Sequence, residues 1–198
     1  MCQFVDAIQY SNGEFKRIAY HQKRAEAAVK EYYPLSNVFS IMDYLRQLEL
    51  PTTGIYKLRI CYTDTIQSYE CIPYKKREIK ELHLVETHIK SRKYKLADRS
   101  DYTIANKFDL NSSDILFVRD GLLTDTSYAN IALLKNGIWY TPRTPLIFGV
   151  NRASLLDQGI IVEKDILEKN IPHYEKIAIF NAMIEFGELI LSINAIHR

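Results

Sequence analysis

The residues of this chain that could do chemistry form an ordered set, most of it in the second half. The segment KYKLADR contains Lys93, Lys95 and Arg99, and it is followed by DGLLTDTSYAN, NGIWYTP, PLIFGVNRASLL and IFNAM. A lysine amine can serve as a nucleophile or as a general base. A helix that opens after Gly149 would offer free backbone N–H groups to an anion such as a phosphate.

Other signals of catalysis or metal binding are weak. The five histidines lack the HxH or HExxH spacing of a metal site: His21, His83, His88, His173 and His197. No GxSxG segment and no Gly-rich phosphate loop occurs. The basic run Lys75-Lys76-Arg77 indicates a solvated turn, because the chain as a whole is close to neutral.

Composition restricts the class of protein. The chain has 198 residues, with 26 Lys and Arg against 24 Asp and Glu, and its formal charge is +2. At 47% hydrophobic and 25% charged residues it is typical of a soluble globular protein, with no electrostatic argument for a nucleic-acid or membrane partner. No apolar run approaches the ~20 residues that span a bilayer, and the start MCQFVDAIQY lacks a secretory signal. The cysteines Cys2, Cys61 and Cys71 indicate reduced thiols, so we expect a cytoplasmic protein.

The first part of the chain predicts a hairpin followed by helices. Strands are expected at Phe4–Tyr10 and around Phe15–Ala19, on either side of the turn residues Asn12-Gly13. A helix is expected from His21 to Tyr33, and a second one capped by Ser36.

Most of the remaining chain predicts strands. Apolar and polar residues alternate from Tyr56 to Tyr62, and further strands are expected at 66–72, 79–85, 114–119, 122–126, 130–135, 138–141, 160–166 and 176–180. A helix is expected from Gly149 to Gly159, and the polar stretch from Glu86 to Arg99 is a plausible connection. The prediction is an α+β protein with lobes at residues 1–87 and 88–198.

In their order and spacing, these segments resemble the fold-type IV pyridoxal-phosphate enzymes, also called class IV aminotransferases. This family includes branched-chain aminotransferases, D-amino acid aminotransferases and 4-amino-4-deoxychorismate lyases. The resemblance covers most of the chain and extends to HQKR, His21 to Arg24, which is similar to the family's H-x-x-R helix start. It implies a two-lobed D-amino acid aminotransferase-like fold, with a smaller N-terminal α/β lobe and a β-rich C-terminal lobe. It also implies pyridoxal 5'-phosphate as cofactor, a small-molecule amino substrate and a homodimer.

The resemblance assigns Lys95 as the catalytic lysine, which forms a Schiff base with the cofactor and then moves the substrate's α-proton. Lys93 remains an alternative, because strand alternation would put both lysines on the same face. Arg99 follows Lys95 by the K-x-x-x-R spacing of lyase-type members. It could lie near the ring hydroxyl or the substrate carboxylate, or it could be a salt-bridge partner.

The same resemblance assigns the remaining cofactor contacts. Asp125 stands where the family's T-E-x-x-x-x-N pattern has glutamate, and its carboxylate would hold the pyridine nitrogen protonated. Val150 and Asn151 belong to a match for the phosphate turn G-I/V-T-R, in which Asn151 replaces threonine and could donate through its amide. Arg24 would supply the positive charge at the phosphate, and Asn181 would make a further contact on that side.

The K-x-x-x-R spacing and the NAM segment favour 4-amino-4-deoxychorismate lyase, which forms 4-aminobenzoate and pyruvate in folate biosynthesis. Lyase-type members tend to have a threonine shortly after the first-strand phenylalanine, to protonate the leaving methylene. This chain has Val5 and Asp6 after Phe4, and Asp6 could donate a proton only if its pKa is raised. The alternatives are an amino acid aminotransferase of branched-chain or D-amino acid type, and a degenerate member without catalysis.

Overall fold

The computed structural model describes residues 4–102 and 112–198. They form two compact units. The first consists of the residues up to Lys75 together with Tyr94–Asp98, and the second of Lys76–Lys93 together with the residues from Arg99 onward.

The first unit is an antiparallel sheet with two helices. Its strands are β1 (Phe4–Ser11), β2 (Glu14–Phe15), β3 (Ile55–Tyr62) and β4 (Ile66–Pro73), in the order β2-β1-β3-β4, and its helices are α1 (Ile18–Tyr32) and α2 (Ile41–Leu45). The turn between β1 and β2 is formed by Asn12 and Gly13, both at positive φ, as their sequence predicts. Helix α1 buries His21, Ala25, Ala28 and Val29, which the helical repeat places on one face.

Two local predictions for this unit were wrong. The strand expected at Phe15–Ala19 is cut short, because Arg17 adopts a φ of 53° and α1 begins at Ile18. The cap of α2 is Ser40, whose Oγ accepts from the backbone N–H of Asp43 at 3.2 Å. The hydroxyl of Ser36 instead donates to Asp64 Oδ2 at 3.1 Å.

The second unit contains two sheets and one α-helix. Its strands are β5 (Glu81–Glu86), β6 (Ser113–Arg119), β7 (Leu122–Thr126), β8 (Asn130–Lys135), β9 (Ile138–Pro142), β10 (Ile161–Lys164), β11 (Lys176–Phe180), β12 (Ile190–Ser192) and β13 (Ile196–His197). One sheet has the order β13-β5-β6-β7 and the other β10-β9-β8-β11-β12. Helix α3 spans Val150–Asp157, and 3-10 helices lie at Glu168–His173 and Ile193–Ala195.

In the second unit, two hairpins turn at the residues predicted from the sequence, whereas β12, β13 and the two 3-10 helices were not predicted. The hairpins β6–β7 and β8–β9 turn at Asp120-Gly121 and Asn136-Gly137, all at positive φ. The strand-rich α+β class is therefore confirmed. In the described parts of the chain, no helix is long and apolar enough to cross a membrane.

Candidate active site

Lys95 lies in a segment that is fixed to the first unit by its backbone and by its neighbour. Its carbonyl oxygen accepts from the backbone N–H of Val5 in β1 at 2.9 Å. The hydroxyl of the buried Tyr94 lies 2.6 Å from Glu31 Oε2 and 3.1 Å from the Ala27 carbonyl, both on α1. The backbone that carries the Lys95 amine is therefore held in one place.

The two candidate lysines differ in their surroundings. Lys95 is half-buried and belongs to the first unit, whereas Lys93 is exposed and belongs to the second. The regular strand alternation that would have made them equivalent is not present at these positions. The two lysines are therefore not equivalent in the structure.

A buried carboxylate in β1 binds Arg24, the residue predicted to bind the cofactor's phosphate. Asp6 is completely buried, and its Oδ1 binds both the Arg24 guanidinium and His21 Nδ1, the latter at 2.6 Å. Its Oδ2 accepts from the Tyr62 hydroxyl at 3.0 Å. The H-x-x-R spacing places His21 and Arg24 on one face of α1, and the register of β1 with β3 brings Tyr62 close to Asp6.

Asp6 could donate a proton only if its pKa were raised, and its surroundings lower the pKa instead. Burial alone would raise the pKa of Asp6, but the adjacent Arg24 and His21 outweigh burial and hold the pKa well below its ordinary value. Asp6 is therefore ionised and has no proton to give. Burial lowers the pKa of His21 in turn, so that its neutral ring donates through Nδ1 to the carboxylate.

In the second unit, Asp125 lies in a closed hydrogen-bond network. The tight turn between β7 and β8 returns Asn130 beside it, and Asn130 Nδ2 donates to Asp125 Oδ1 at 2.9 Å and to the Ile147 carbonyl at 2.8 Å. The Ile147 N–H donates to Asp125 Oδ2 at 2.8 Å. The final asparagine of the T-E-x-x-x-x-N pattern thus orients the acid of the same pattern.

The electrostatic setting of Asp125 suits an acceptor for a protonated ring nitrogen. Burial raises the pKa of Asp125 to about 7, although the hydrogen bonds from Ile147 and Asn130 act in the opposite direction. Both of these donors are neutral N–H groups. A cationic N–H partner would stabilise the ionised carboxylate and remove much of the cost of burying it.

Helix α3 begins where the phosphate turn was predicted. Gly149 is its N-cap and makes no side-chain cap, and Val150 and Asn151 are the first residues of the helix. The first backbone N–H groups of a helix have no partner within the helix and favour anions. A Cβ at position 149 would lie 2.1 Å from Asn130 Oδ1, so any residue other than glycine would have to displace a neighbouring group.

The side chains of Asn151 and Asn181 serve the protein backbone. Asn151 Nδ2 donates to the carbonyls of Asn181 at 2.8 Å and Ile184 at 3.1 Å, so the expected amide contact to phosphate is not available. Asn181 Oδ1 accepts from the N–H groups of Met183 and Ile184, at 2.8 and 3.0 Å. The two asparagines therefore join the start of α3 to the loop after β11, and a phosphate contact at position 151 would use the backbone N–H.

The Arg99 side chain contacts a backbone carbonyl and an aromatic ring. Its Nη2 donates to the backbone carbonyl of Ser127 at 2.6 Å, and its guanidinium stacks on the Tyr102 ring at 4.4 Å from the centroid. Burial and the nearby Asp125 charge raise the pKa of Tyr102 to about 12. Arg99 and Tyr102 thus lie beside the turn that follows Asp125.

The structure brings the predicted residues together in two groups. Arg24 and Lys95 lie in the first unit, and both are bound to β1. Asp125, Val150, Asn151, Asn181 and Arg99 lie in the second. Sequence analysis missed Tyr62 and the role of Asn130, although the asparagine of the motif was a signal for the latter. Among the described residues, no cluster of His, Cys, Asp or Glu could hold a metal ion.

Comparison with known proteins identifies the family. The profile of the family described as "Amino-transferase class IV" matches residues 3–189. The chain belongs to the class IV aminotransferase family. This family uses pyridoxal phosphate, which confirms the cofactor and the fold predicted from the sequence.

Individual relatives cover nearly the whole chain. An uncharacterized protein of Haemophilus influenzae is 28% identical over 186 residues, which is 92% of this chain and 98% of the relative. A crystal structure from Haemophilus somnus, provisionally named a 4-amino-4-deoxychorismate lyase, is 29% identical with a TM-score of 0.80, and the match covers 93% of this chain and 98% of that one. A Mycobacterium tuberculosis structure, described as a hypothetical aminotransferase in its PLP-bound form, shares the fold at 12% identity and a TM-score of 0.74, covering 93% and 78% of the two chains.

Proposed function

We propose that this chain is a pyridoxal-phosphate-dependent enzyme that acts on an amino-group substrate, and specifically a 4-amino-4-deoxychorismate lyase that forms 4-aminobenzoate and pyruvate. The observation that carries the enzyme assignment is the buried Asp125, held by Asn130 and Ile147 with no charge on either donor. The lyase assignment is supported by the near full-length similarity to the Haemophilus somnus protein and by the spacing of Lys95 and Arg99.

The residues present fit this cofactor. Arg24 is a buried cation that binds Asp6 through Nη2, and its Nε has no hydrogen-bond partner among the described residues. The bare backbone at Gly149 and the start of α3 suit a phosphate, and Asp125 suits a pyridine nitrogen. When bound, the cofactor supplies an electron-withdrawing ring that stabilises negative charge on the substrate carbon.

Each residue then has a separate task. By the family resemblance, Arg24 and the backbone N–H groups of Val150 and Asn151 would bind the phosphate, and Asp125 would keep the ring nitrogen protonated. The Lys95 Nζ would hold the cofactor, and it would serve as the general acid and base that moves protons at the substrate. Because Asp6 is ionised, we assign the proton for the leaving methylene to Lys95 Nζ or to water.

One observation favours an amino acid aminotransferase as a second candidate. Asp6, near the position where lyase-type members tend to have threonine, is fully engaged by His21, Arg24 and Tyr62. An aminotransferase needs no donor for a leaving methylene. A degenerate, non-catalytic member is disfavoured by the retained Lys95, Arg24 and Gly149.

The first test is covalent attachment. Purified protein is incubated with pyridoxal phosphate, reduced with borohydride and digested, and peptide mass spectrometry locates the adduct. We expect it on Lys95, with loss of labelling in K95A and normal labelling in the matched variant K93A. Labelling that persists in K95A and disappears in K93A would move the assignment to Lys93, and no labelling in any protein would support the non-catalytic alternative.

The second test separates the two reactions. Release of pyruvate from 4-amino-4-deoxychorismate, abolished in K95A, is the result expected of the lyase. Transfer of an amino group to 2-oxoglutarate without pyruvate release would establish the aminotransferase instead. We also propose a homodimer, in line with the family resemblance, and light scattering would check it.

A further inference from the structure

We propose that Asp6 is a positioning residue, which fixes the Arg24 guanidinium for the phosphate of the cofactor and joins it through β1 to the Lys95 segment. This inference rests on the proposed function, since it concerns how the same site binds its cofactor. It assigns a task to an acidic residue that the family resemblance leaves unexplained.

The first argument is the completeness of the contacts around Asp6. Its carboxylate binds groups from two other elements: His21 and Arg24 from α1, and Tyr62 from β3. A fully buried carboxylate with hydrogen bonds to both oxygens cannot rotate without leaving a donor unsatisfied. Its orientation is therefore fixed, and it fixes its partners in turn.

The second argument is the state of Arg24. Its side chain is only 9% exposed, and one edge of the guanidinium is held by Asp6. The Nε atom is buried without a partner among the described residues. A guanidinium is a planar fork of donors, so binding one edge to Asp6 sets the direction of the donors that remain.

The third argument is the position of Asp6 in the chain. The preceding residue, Val5, donates its backbone N–H to the carbonyl of Lys95 at 2.9 Å. Consecutive residues of one strand therefore hold the backbone of the catalytic lysine and the side chain of the phosphate-binding arginine. Strand β1 is hydrogen-bonded to β3 along its whole length, so it is a rigid support for both.

The test compares binding of pyridoxal phosphate with binding of pyridoxal, which lacks the phosphate, to the full-length apoprotein. Dissociation constants are measured by absorbance or fluorescence titration for wild type, D6N, R24A and the double variant. We expect D6N to weaken pyridoxal phosphate binding at least tenfold while pyridoxal binding changes less than about threefold. R24A should show the same selective loss, and the double variant should be no weaker than R24A alone, because Asp6 acts through Arg24.

Other outcomes would overturn the inference. Equal weakening of both ligands in D6N would indicate a general structural role, and unchanged or tighter phosphate binding would show that Asp6 merely competes for Arg24. If D6N does not fold, Y62F decides the question. It removes one hydrogen bond from Asp6 without touching Arg24, and the absence of any selective loss in this variant would contradict the inference. A wild type that binds neither ligand would overturn the proposed function itself, whereas a wild type that binds both and a D6N that behaves identically would overturn only the role of Asp6.

Discussion

Asn130 lies so close to Gly149 that a Cβ atom at position 149 would be 2.1 Å from Asn130 Oδ1. The other end of the same amide donates to Asp125 Oδ1 at 2.9 Å. One side chain therefore determines both the orientation of the predicted ring-binding carboxylate and the path of the backbone into α3. Glycine is required here by space, because its φ of −71° is open to any residue.

We expect G149A to disrupt this arrangement. The new methyl group must displace Asn130 or the start of α3, which should destabilise the apoprotein by about 1–3 kcal/mol and weaken pyridoxal phosphate binding at least tenfold. Urea unfolding and cofactor titration measure the two effects. The control is G187A. Gly187 has a φ of +95°, and a Cβ built there has no neighbouring atom within 4 Å. This variant should lose stability through backbone strain, and its cofactor affinity should be unchanged. Normal cofactor affinity in G149A would show that the Asn130 contact is dispensable.

The raised pKa of Asp125 predicts how the stability of the folded protein changes with pH. Because the pKa is about 7 in the folded protein and near 3.8 when unfolded, the folded state binds a proton more tightly. The contribution of Asp125 to stability is therefore fully present below pH ~4 and is lost as the pH rises through about 7, with an amplitude on the order of a few kcal/mol.

Urea unfolding of apoprotein between pH 4 and 8 would measure this loss as the difference between wild type and D125N. The comparison cancels the opposite contribution of His21, whose lowered pKa favours the folded state as pH rises. A difference that does not change with pH would mean that Asp125 ionises normally.

The hydrogen bonds of Asn151 predict that its removal lowers the stability of the protein but has little effect on cofactor affinity. N151A leaves the carbonyls of Asn181 and Ile184 without their donor, which should destabilise the protein by roughly 1–3 kcal/mol. The affinity of the folded variant for pyridoxal phosphate should change less than about threefold, because the backbone N–H remains. The exposed Asn194 supplies the matched control, and N194A should be neutral within about 0.5 kcal/mol. A large and selective loss of cofactor binding in N151A would indicate that the side chain contacts the phosphate after all.

Tyr94 is predicted to hold the Lys95 segment against α1. Y94F removes the hydroxyl contacts to Glu31 and Ala27, and should cost about 1–2 kcal/mol of stability. We also expect slower borohydride-trapped labelling of Lys95, because the segment becomes more mobile. Y69F, at a 40% exposed tyrosine, is the comparison variant. Labelling at the wild-type rate in Y94F would mean that the backbone hydrogen bond to Val5 holds the segment in place without the Tyr94 hydroxyl.

Much of the site was predictable because it depends on short segments. The acid and the final asparagine of DTSYAN are joined by one tight turn, and the helix that begins after Gly149 requires only local signals. Lys95 and Arg99 were assigned through the family resemblance, which rests on their spacing and on the order of the segments around them. Their surroundings were not predicted: Arg99 binds the Ser127 carbonyl, and Asn151 is bound to the loop after β11.

The sequence by itself determined the family, the turns at Asn-Gly and Asp-Gly, and the residue types available for a phosphate-bearing cofactor. The turns follow from neighbouring residues, whose backbone preferences do not depend on the rest of the chain, and the family follows from the order of short segments along the chain. Only the tertiary structure decided what Asp6 does. The sequence allowed it to be a proton donor, but its pKa depends on Arg24 and His21, which are 18 and 15 positions away. The packing of α1 against β1 brings these groups together, and the charge of Arg24 with the hydrogen bonds from Arg24 and His21 keeps the carboxylate ionised.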